Sequence, residues 1–295
     1  MNIDHVIRRK FAPVEQHWGW KDCALYALGI GYGSDPLDER ELAFVYEQGQ
    51  QKVAPSFCLV LGWPELWHRE PAAGVDWTRI LHGEQRLVLH RPMTVNGAVK
   101  ARYRVVAIQD KGPGRGALLW FDTDLEDAVS GAPVAHMRST QFLRAEGGCG
   151  DWGDPVTPLA PLENDARAMR SINYATLPQS ALLYRLSGDT MPLHADPKVA
   201  RQGGFDRPIL HGLANMGLAC RAILELFCPD DPGQLTAMSV RFVAPAYPGE
   251  TLRVEFLQDD SGVRFRAYSV QRDLLLLDRG AFTLRVGGAR NPDQG

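Results

Sequence analysis

A chain of 295 residues exceeds one ordinary domain of ~100–200 residues and falls short of three, so two domains or one large one are expected. Apolar residues make up 45% and charged residues 23%. These values sit near the averages of globular chains, which excludes fibrous and intrinsically disordered classes. Lys plus Arg is 32 against 35 for Asp plus Glu, with no long basic block, so a nucleic-acid footprint is excluded as well.

Along the chain, Met1–Lys10 has no apolar core of signal-peptide length, and no run of ~18 apolar residues follows anywhere. Neither export nor a membrane span is expected. The last residues, Asn291-Pro292-Asp293-Gln294-Gly295, do not form a peroxisomal Ser-Lys-Leu-type address. Cys23, Cys58, Cys149, Cys220 and Cys228 are odd in number and widely spaced, without a Cys-x-x-Cys pair. A reduced, cytoplasmic setting is the expectation.

The tetrapeptide Ile-Leu-His-Gly occurs twice, at Ile80–Gly83 and Ile209–Gly212. Each copy stands upstream of a proline, a glycine and an alternating strand. The first is followed by Pro92, Gly97 and Val99–Val105, the second by Pro245, Gly249 and Thr251–Phe256. Period-two alternation predicts half-buried antiparallel strands at Arg86–Leu89, Val99–Ile108, Ala117–Asp122 and Ser139–Leu143, then at Ser239–Val243, Thr251–Leu257, Val263–Gln271 and Gly280–Val286. The second copy also precedes Leu213–Phe227, long enough for about four helical turns. This stretch is almost entirely apolar, with Arg221 and Glu225 read as an i,i+4 pair of exceptions, and it predicts a buried helix. The first copy has only Val75–Arg79 in front of it, so its half is expected to hold more empty volume. Glycine and proline density from Gly147 to Pro161 marks a linker between a domain over 1–150 and one over 151–295. Gly112-Pro113-Gly114-Arg115-Gly116 lacks the Gly-Lys-Ser/Thr of a phosphate loop and reads as a hairpin turn. The tryptophans concentrate in the first half, where core packing accounts for them; Trp63, Trp67 and Trp77 are candidates for lining a pocket.

Chemistry concentrates in Tyr184–Pro197. Gly188 and Pro192 make this a loop, so Asp189 and His194 can converge in a way that regular spacing does not provide. A carboxylate beside an imidazole can hold a water and move protons near neutral pH. An isolated Asp and His would more commonly be an Asx-turn and a core histidine. His211-Gly212 opens the predicted helix, whose first N–H groups lack internal partners and carry the positive end of the macrodipole. At Gly212 a ligand oxygen can approach the backbone closely and be stabilised as it gains negative charge.

Ser187–Pro197, followed by Gly204–Leu213, resembles the signature of the MaoC-like, type 2 (R-specific) enoyl-CoA hydratases. Tyr26–Gly31, Phe44–Glu47, Leu81–Gln85 and Asp110–Gly112 extend the resemblance over nearly the whole chain. It is similar to the two-domain form found in the hydratase part of peroxisomal multifunctional enzyme type 2. The resemblance implies an α+β double hot-dog, two antiparallel sheets each wrapping a helix, with the first helix shortened to admit a bulky acyl chain. It implies reversible hydration of trans-2-enoyl-CoA to (R)-3-hydroxyacyl-CoA by a hydro-lyase, with Asp189 and His194 as the catalytic dyad and Gly212 as the oxyanion donor. Substrate contacts are implied at His82, Gly83, Lys111, Thr190, Met191, Pro192, Leu193 and Phe242. No metal or cofactor is expected, the CoA being part of the substrate, and the expected assembly is a homodimer.

The chain departs from the family at Met191, where an asparagine is usual: an apolar thioether replaces an amide. A non-catalytic acyl-CoA-binding protein with a decayed site is therefore the competing expectation. A metal hydrolase built on His194, Asp196 and His211 is a third, with a weak ligand set.

Overall fold

The computed structural model describes residues 1–64, 66–163 and 166–285. Val286, the last residue of the final expected strand, and the C-terminal Asn291–Gly295 lie outside the described residues.

Among the described residues, ten strands form one antiparallel sheet in the order β1-β3-β4-β5-β2-β7-β10-β9-β8-β6. The first half supplies β1 (Val14–Trp18), β2 (Ile80–Leu89), β3 (Gly97–Asp110), β4 (Ala117–Asp127) and β5 (Pro133–Leu143). The second supplies β6 (Arg167–Ala175), β7 (Leu235–Phe242), β8 (Thr251–Asp259), β9 (Gly262–Ser269) and β10 (Leu274–Leu284). The order in one half repeats in the other about the seam between β2 and β7. There Glu84 faces Arg241, Leu87 faces Met238 and Val88 faces Ala237. The two expected sheets thus join edge to edge. Each expected strand is present and usually longer than its alternating segment. The two strands the alternation does not reveal, β1 and β6, lie at the outer edges; β6 is exposed at most positions and so carries little apolar periodicity.

Leu213–Phe227 is helical as expected, within α6 (Gly212–Phe227). Every residue from Leu213 to Leu224 is buried, because a helix apolar on all faces can only be covered on all faces. Each fully buried Leu, Ile or Met side chain contributes about 1.5–3 kcal/mol relative to exposure. The helix stops at Cys228, before Pro229, which cannot continue it. Arg221 and Glu225 do not pair with each other as their spacing suggests. The Arg221 guanidinium donates to the Gly31 carbonyl and to Glu41 of the first half and packs over the Tyr174 ring, while Glu225 accepts from Tyr174 Oη at 2.9 Å. Of the two charges, Arg221 ties the halves together, while Glu225 stays within the second half.

The two Ile-Leu-His-Gly copies are not structural equivalents. Ile80–Gly83 begins β2, whose counterpart about the seam is β7, whereas Ile209–Gly212 leads into α6. What does repeat is the passage from a seam strand through a proline-containing turn to the next strand: β2, Pro92, β3 and β7, Pro245, β8.

Among the described residues, the first half has no counterpart to α6 of equal length. It carries α1 (Ile3–Arg8), α2 (Trp20–Gly29) and α3 (Glu39–Val45), the longest ten residues against sixteen, and a wholly buried 3-10 run, Pro55–Val60. The glycine-rich linker is pinned to the β3–β4 hairpin. Asp110 accepts from the N–H groups of Gly112, Gly148 and Gly150, each at 2.8 Å, and Trp152 pairs with Ile108. Gly112–Gly116 is a hairpin turn, with Lys111 N–H donating to the Gly116 carbonyl at 3.0 Å.

Candidate active site

The loop after α4 (Ser180–Tyr184) is built from two short 3-10 turns, Arg185–Ser187 and Pro192–His194, on either side of Gly188–Met191. Gly188 has φ +144°, and a Cβ there would lie 2.8 Å from the Val60 carbonyl oxygen. Only glycine lets the chain turn so close to the first half and deliver Asp189 to the interior. Asp189 is buried, 9% exposed, and its Oδ1 accepts from Met191 N–H at 3.1 Å. The local Asx-turn is therefore real, and it orients the carboxylate.

His194 Nδ1 lies 2.9 Å from the Ile209 carbonyl, to which it can only donate. Its Nε2 is left as the lone-pair nitrogen. His211 Nε2 similarly donates to the Asp189 carbonyl at 3.1 Å. The two imidazoles stack with centroids 3.6 Å apart and planes inclined by 23°. Side-chain ligand atoms of Asp189, His194 and His211 lie within 4.8 Å of one another. Burial lowers the pKa of His194, with the Asp189 charge opposing the shift, and it holds His211 well below the usual histidine range. Both rings are neutral near pH 7, so His194 Nε2 is a base beside a carboxylate.

The metal-ligand set expected from the sequence does not assemble. Asp196 is exposed and caps α5 (Pro197–Gln202), accepting from Lys198 N–H at 2.7 Å. Asp189 takes its place in the cluster with the two histidines.

His211 is the extended residue before α6 and makes no side-chain cap. The Gly212 N–H at the positive end of this sixteen-residue helix therefore faces outward without an internal acceptor. A Cβ on Gly212 would come within 3.1 Å of the Phe242 ring, so the backbone stays bare there.

Asp189, His194 and Gly212 open onto one cavity of about 790 Å³ that draws its walls from both halves. His82, Gly83, Lys111, Met191, Leu193 and Phe242 line it too. Between His82 and Glu84 the β2–β5 register slips, so Gly83 sits in a bulge at the cavity wall. The His82 ring packs 4.6 Å from Phe242 across the seam, and burial lowers its pKa to about 4. Lys111 follows the anchored Asp110, with its ammonium 5.4 Å from the Phe142 ring centre. Thr190 is exposed, and neither it nor Pro192 lines the cavity, so the structure does not bring those two to the site. The 3-10 turn that starts at Pro192 sends His194 and Leu193 inward and leaves the preceding threonine outside.

Of the tryptophan candidates, Trp63 lines the cavity and Trp67 is buried in a separate core cluster. Trp77 is partly exposed under Arg69. Sequence reasoning misses Asn215, Arg241, Thr140 and Tyr103, all on the cavity wall. For Asn215 a signal exists: it is a third polar residue of the apolar helix, one turn after Gly212.

The family comparisons agree with this geometry. Residues 17–145 match the MFE-2 hydratase 2 N-terminal domain and residues 161–278 the MaoC like domain. The peroxisomal enoyl-CoA hydratase 2 of Arabidopsis thaliana is 33% identical over 290 residues, spanning 94% of this chain and 93% of that one.

The chain belongs to the MaoC-like hydratase 2 family.

Among solved structures, a MaoC-like dehydratase from Phytophthora capsici superposes with a TM-score of 0.82 at 30% identity, covering 98% of this chain and all of that one. A Mycobacterium tuberculosis protein with a double hot-dog fold, 16% identical, gives a TM-score of 0.59 over 94% of this chain and 96% of its own. This MaoC-like chain is thus a double hot-dog whose two sheets have fused along β2 and β7.

Proposed function

We propose that this protein hydrates trans-2-enoyl-CoA thioesters reversibly, giving the (R)-3-hydroxyacyl-CoA. The observation that carries the reading is the convergence of a carboxylate, a neutral imidazole and an unpartnered helix N-terminal N–H on one cavity shared by both halves. The Gly212 N–H receives the thioester oxygen and stabilises the charge it gains as the β carbon is attacked. Asp189 and His194 Nε2 hold the water between them. As its oxygen bonds to the β carbon, one water proton passes to the dyad and is returned to the α carbon, so the double bond is consumed and no atom is left over. Asp189 and His194 act as a coupled pair.

Leu59, Leu61, Trp63, Phe121 and Met137 of the first half supply an apolar wall for the acyl chain. Lys111, Arg144 and Arg241 provide positive charge at the same cavity for the CoA phosphates. An intact dyad and open Gly212 backbone favour turnover over a decayed, merely binding site, despite Met191. The location read from the sequence is cytoplasmic, supported by five free cysteines. A homodimer is the proposed assembly. Fractionation and light scattering of the purified protein test these two points.

The deciding experiment follows loss of the conjugated enoyl-thioester absorbance with crotonyl-CoA and longer enoyl-CoAs, and determines product chirality. Turnover to the R product is expected. Thioester binding without turnover, or an S product, defeats the reading.

A further inference from the structure

Where it borders the cavity, the α6 helix carries a polar residue that the mechanism above leaves idle. Asn215 is 2% exposed and lines the cavity that holds Asp189, His194 and Gly212, yet its Oδ1 has no hydrogen-bond partner among the described residues. A buried carboxamide with an unmade bond destabilises the fold. Such a cost persists where another molecule completes the bond. We propose that Asn215 holds the reacting water against the Asp189–His194 dyad. This assignment rests on the hydratase reading and adds a residue to it.

Helix geometry places the group where a water must be. Asn215 follows Gly212 by three residues, on the same face and ~4.5 Å further along the axis. Helical side chains lean toward the N-terminus, so this carboxamide leans back toward the Gly212 N–H. With the thioester oxygen on that N–H, the β carbon lies two bonds beyond the thioester carbon, within reach of a water held at the same helix end. Met191, in the loop that carries the dyad, lines the same cavity but offers only a thioether and cannot take this role. A carboxamide both donates and accepts and stays neutral at every working pH. Asn215 can therefore orient the water before attack and the new hydroxyl after it, neither gaining nor losing a proton.

The test compares the parent protein, Asn215→Leu, and Asn215→Leu combined with Met191→Asn, using crotonyl-CoA. For Asn215→Leu, kcat is expected to fall roughly 10–100-fold with KM within about twofold, the pattern of an interaction made in the transition state. The melting temperature should hold or rise, because an apolar side chain of similar shape removes an unpartnered acceptor. Adding Met191→Asn returns an amide to the cavity from the loop side and should recover most of the lost kcat. A structural role for Asn215 would not be relieved by a residue on another element. If Asn215→Leu folds poorly, Asn215→Ala with and without Met191→Asn is read in the same way. An active parent whose Asn215 variants keep kcat within about twofold, or lose it without recovery by Met191→Asn, overturns the assignment alone. A parent with no hydratase activity overturns both readings.

Discussion

The two halves share a strand order and differ in what lies against the sheet. In the second half α6 lies against β7 and β8 and is buried from Leu213 to Leu224. The first half has only the shorter α2 and the 3-10 run Pro55–Val60, and it supplies much of the wall of the shared cavity of about 790 Å³. Dense packing in one half holds a helix terminus and a dyad to fixed positions. Incomplete packing in the other provides the space for a substrate. Neither half makes a site alone: Asp189, His194 and Gly212 come from the second, His82, Gly83 and Lys111 from the first. Changes to the second half should therefore affect chemistry, and changes to the first should affect which substrate is accepted.

The largest test of this division is loss of the dyad. Asp189→Asn and His194→Ala should each lower kcat by about 10²–10⁴-fold while thioester binding persists, because general acid–base help is lost and the cavity walls are not. Single-turnover kinetics beside equilibrium binding of a product analogue would show it. Undiminished turnover in both variants would remove the dyad from the mechanism. Next in size is a change confined to the first half. Thr123 lines the cavity from β4, and Thr123→Phe places an aromatic ring in the empty volume. Loss of kcat/KM by roughly 10–100-fold is expected for long enoyl-CoAs, with little change for crotonyl-CoA. Equal loss on both would mean that the first half shapes the chemistry as well.

The sequence makes the second half easier to read than the first, for physical reasons. A sixteen-residue helix apolar on every face has one interpretation, and Gly-Asp with a following Pro-Leu-His announces a loop with chemistry. Strands β3 and β8 are legible because their faces meet different environments. The edge strand β6 is exposed on most of both faces and gives no such contrast. The repeated Ile-Leu-His-Gly points to two halves although its copies occupy non-equivalent places, one in a seam strand and one before a helix. Local sequence could not show that β2 and β7 pair, since such a pairing depends on contacts distant in the chain. Thr190 follows the same limit. Proximity in the motif suggests a contact, whereas a single 3-10 turn sends its neighbours inward and leaves it in solvent. Asn215 does carry a signal, as a polar residue in an apolar helix one turn after Gly212, but its role becomes readable only with the cavity beside it.

Acid provides a smaller test that separates the halves by titration. Burial lowers the pKa of His68 and His82 in the first half to about 4, and it lowers His194 and His211 in the second. In the unfolded chain each imidazole takes up a proton near pH 6.5, but the folded protein resists until lower pH. The unfolded state therefore binds more protons across this window, and stability falls as the pH drops from ~6.5 toward 4. Each imidazole contributes a slope of up to about 1.4 kcal/mol per pH unit. Replacing His82 by Gln should flatten the dependence of melting temperature on pH. The acid limb of kcat/KM should instead follow His194 and lie below the usual histidine range, unmoved by the His82 change. If His82→Gln shifted that limb, the two halves would share one titrating network.

The smallest expected effect concerns Lys111, and it tests whether the first half handles the nucleotide end of the substrate as well as the acyl end. Its backbone is fixed: Asp110 accepts three N–H groups from the hairpin and linker, which also holds the Asp110 carboxyl below its ordinary pKa. The ammonium itself lies above the Phe142 ring, at the cavity but open to water. A lysine in that position meets a phosphate in high dielectric, where an exposed ion pair contributes up to about 1 kcal/mol and is weakened by salt. Lys111→Ala should therefore raise KM for CoA thioesters by roughly two- to fivefold and leave kcat in place. The same change should do nothing to KM for a truncated thioester lacking the nucleotide. Salt decides the interpretation. At high ionic strength the parent and the variant should converge, because the charge that distinguishes them is screened. A KM difference that survives high salt would indicate that the lysine stem packs against the substrate, and the first half would then bind CoA by shape and not by charge.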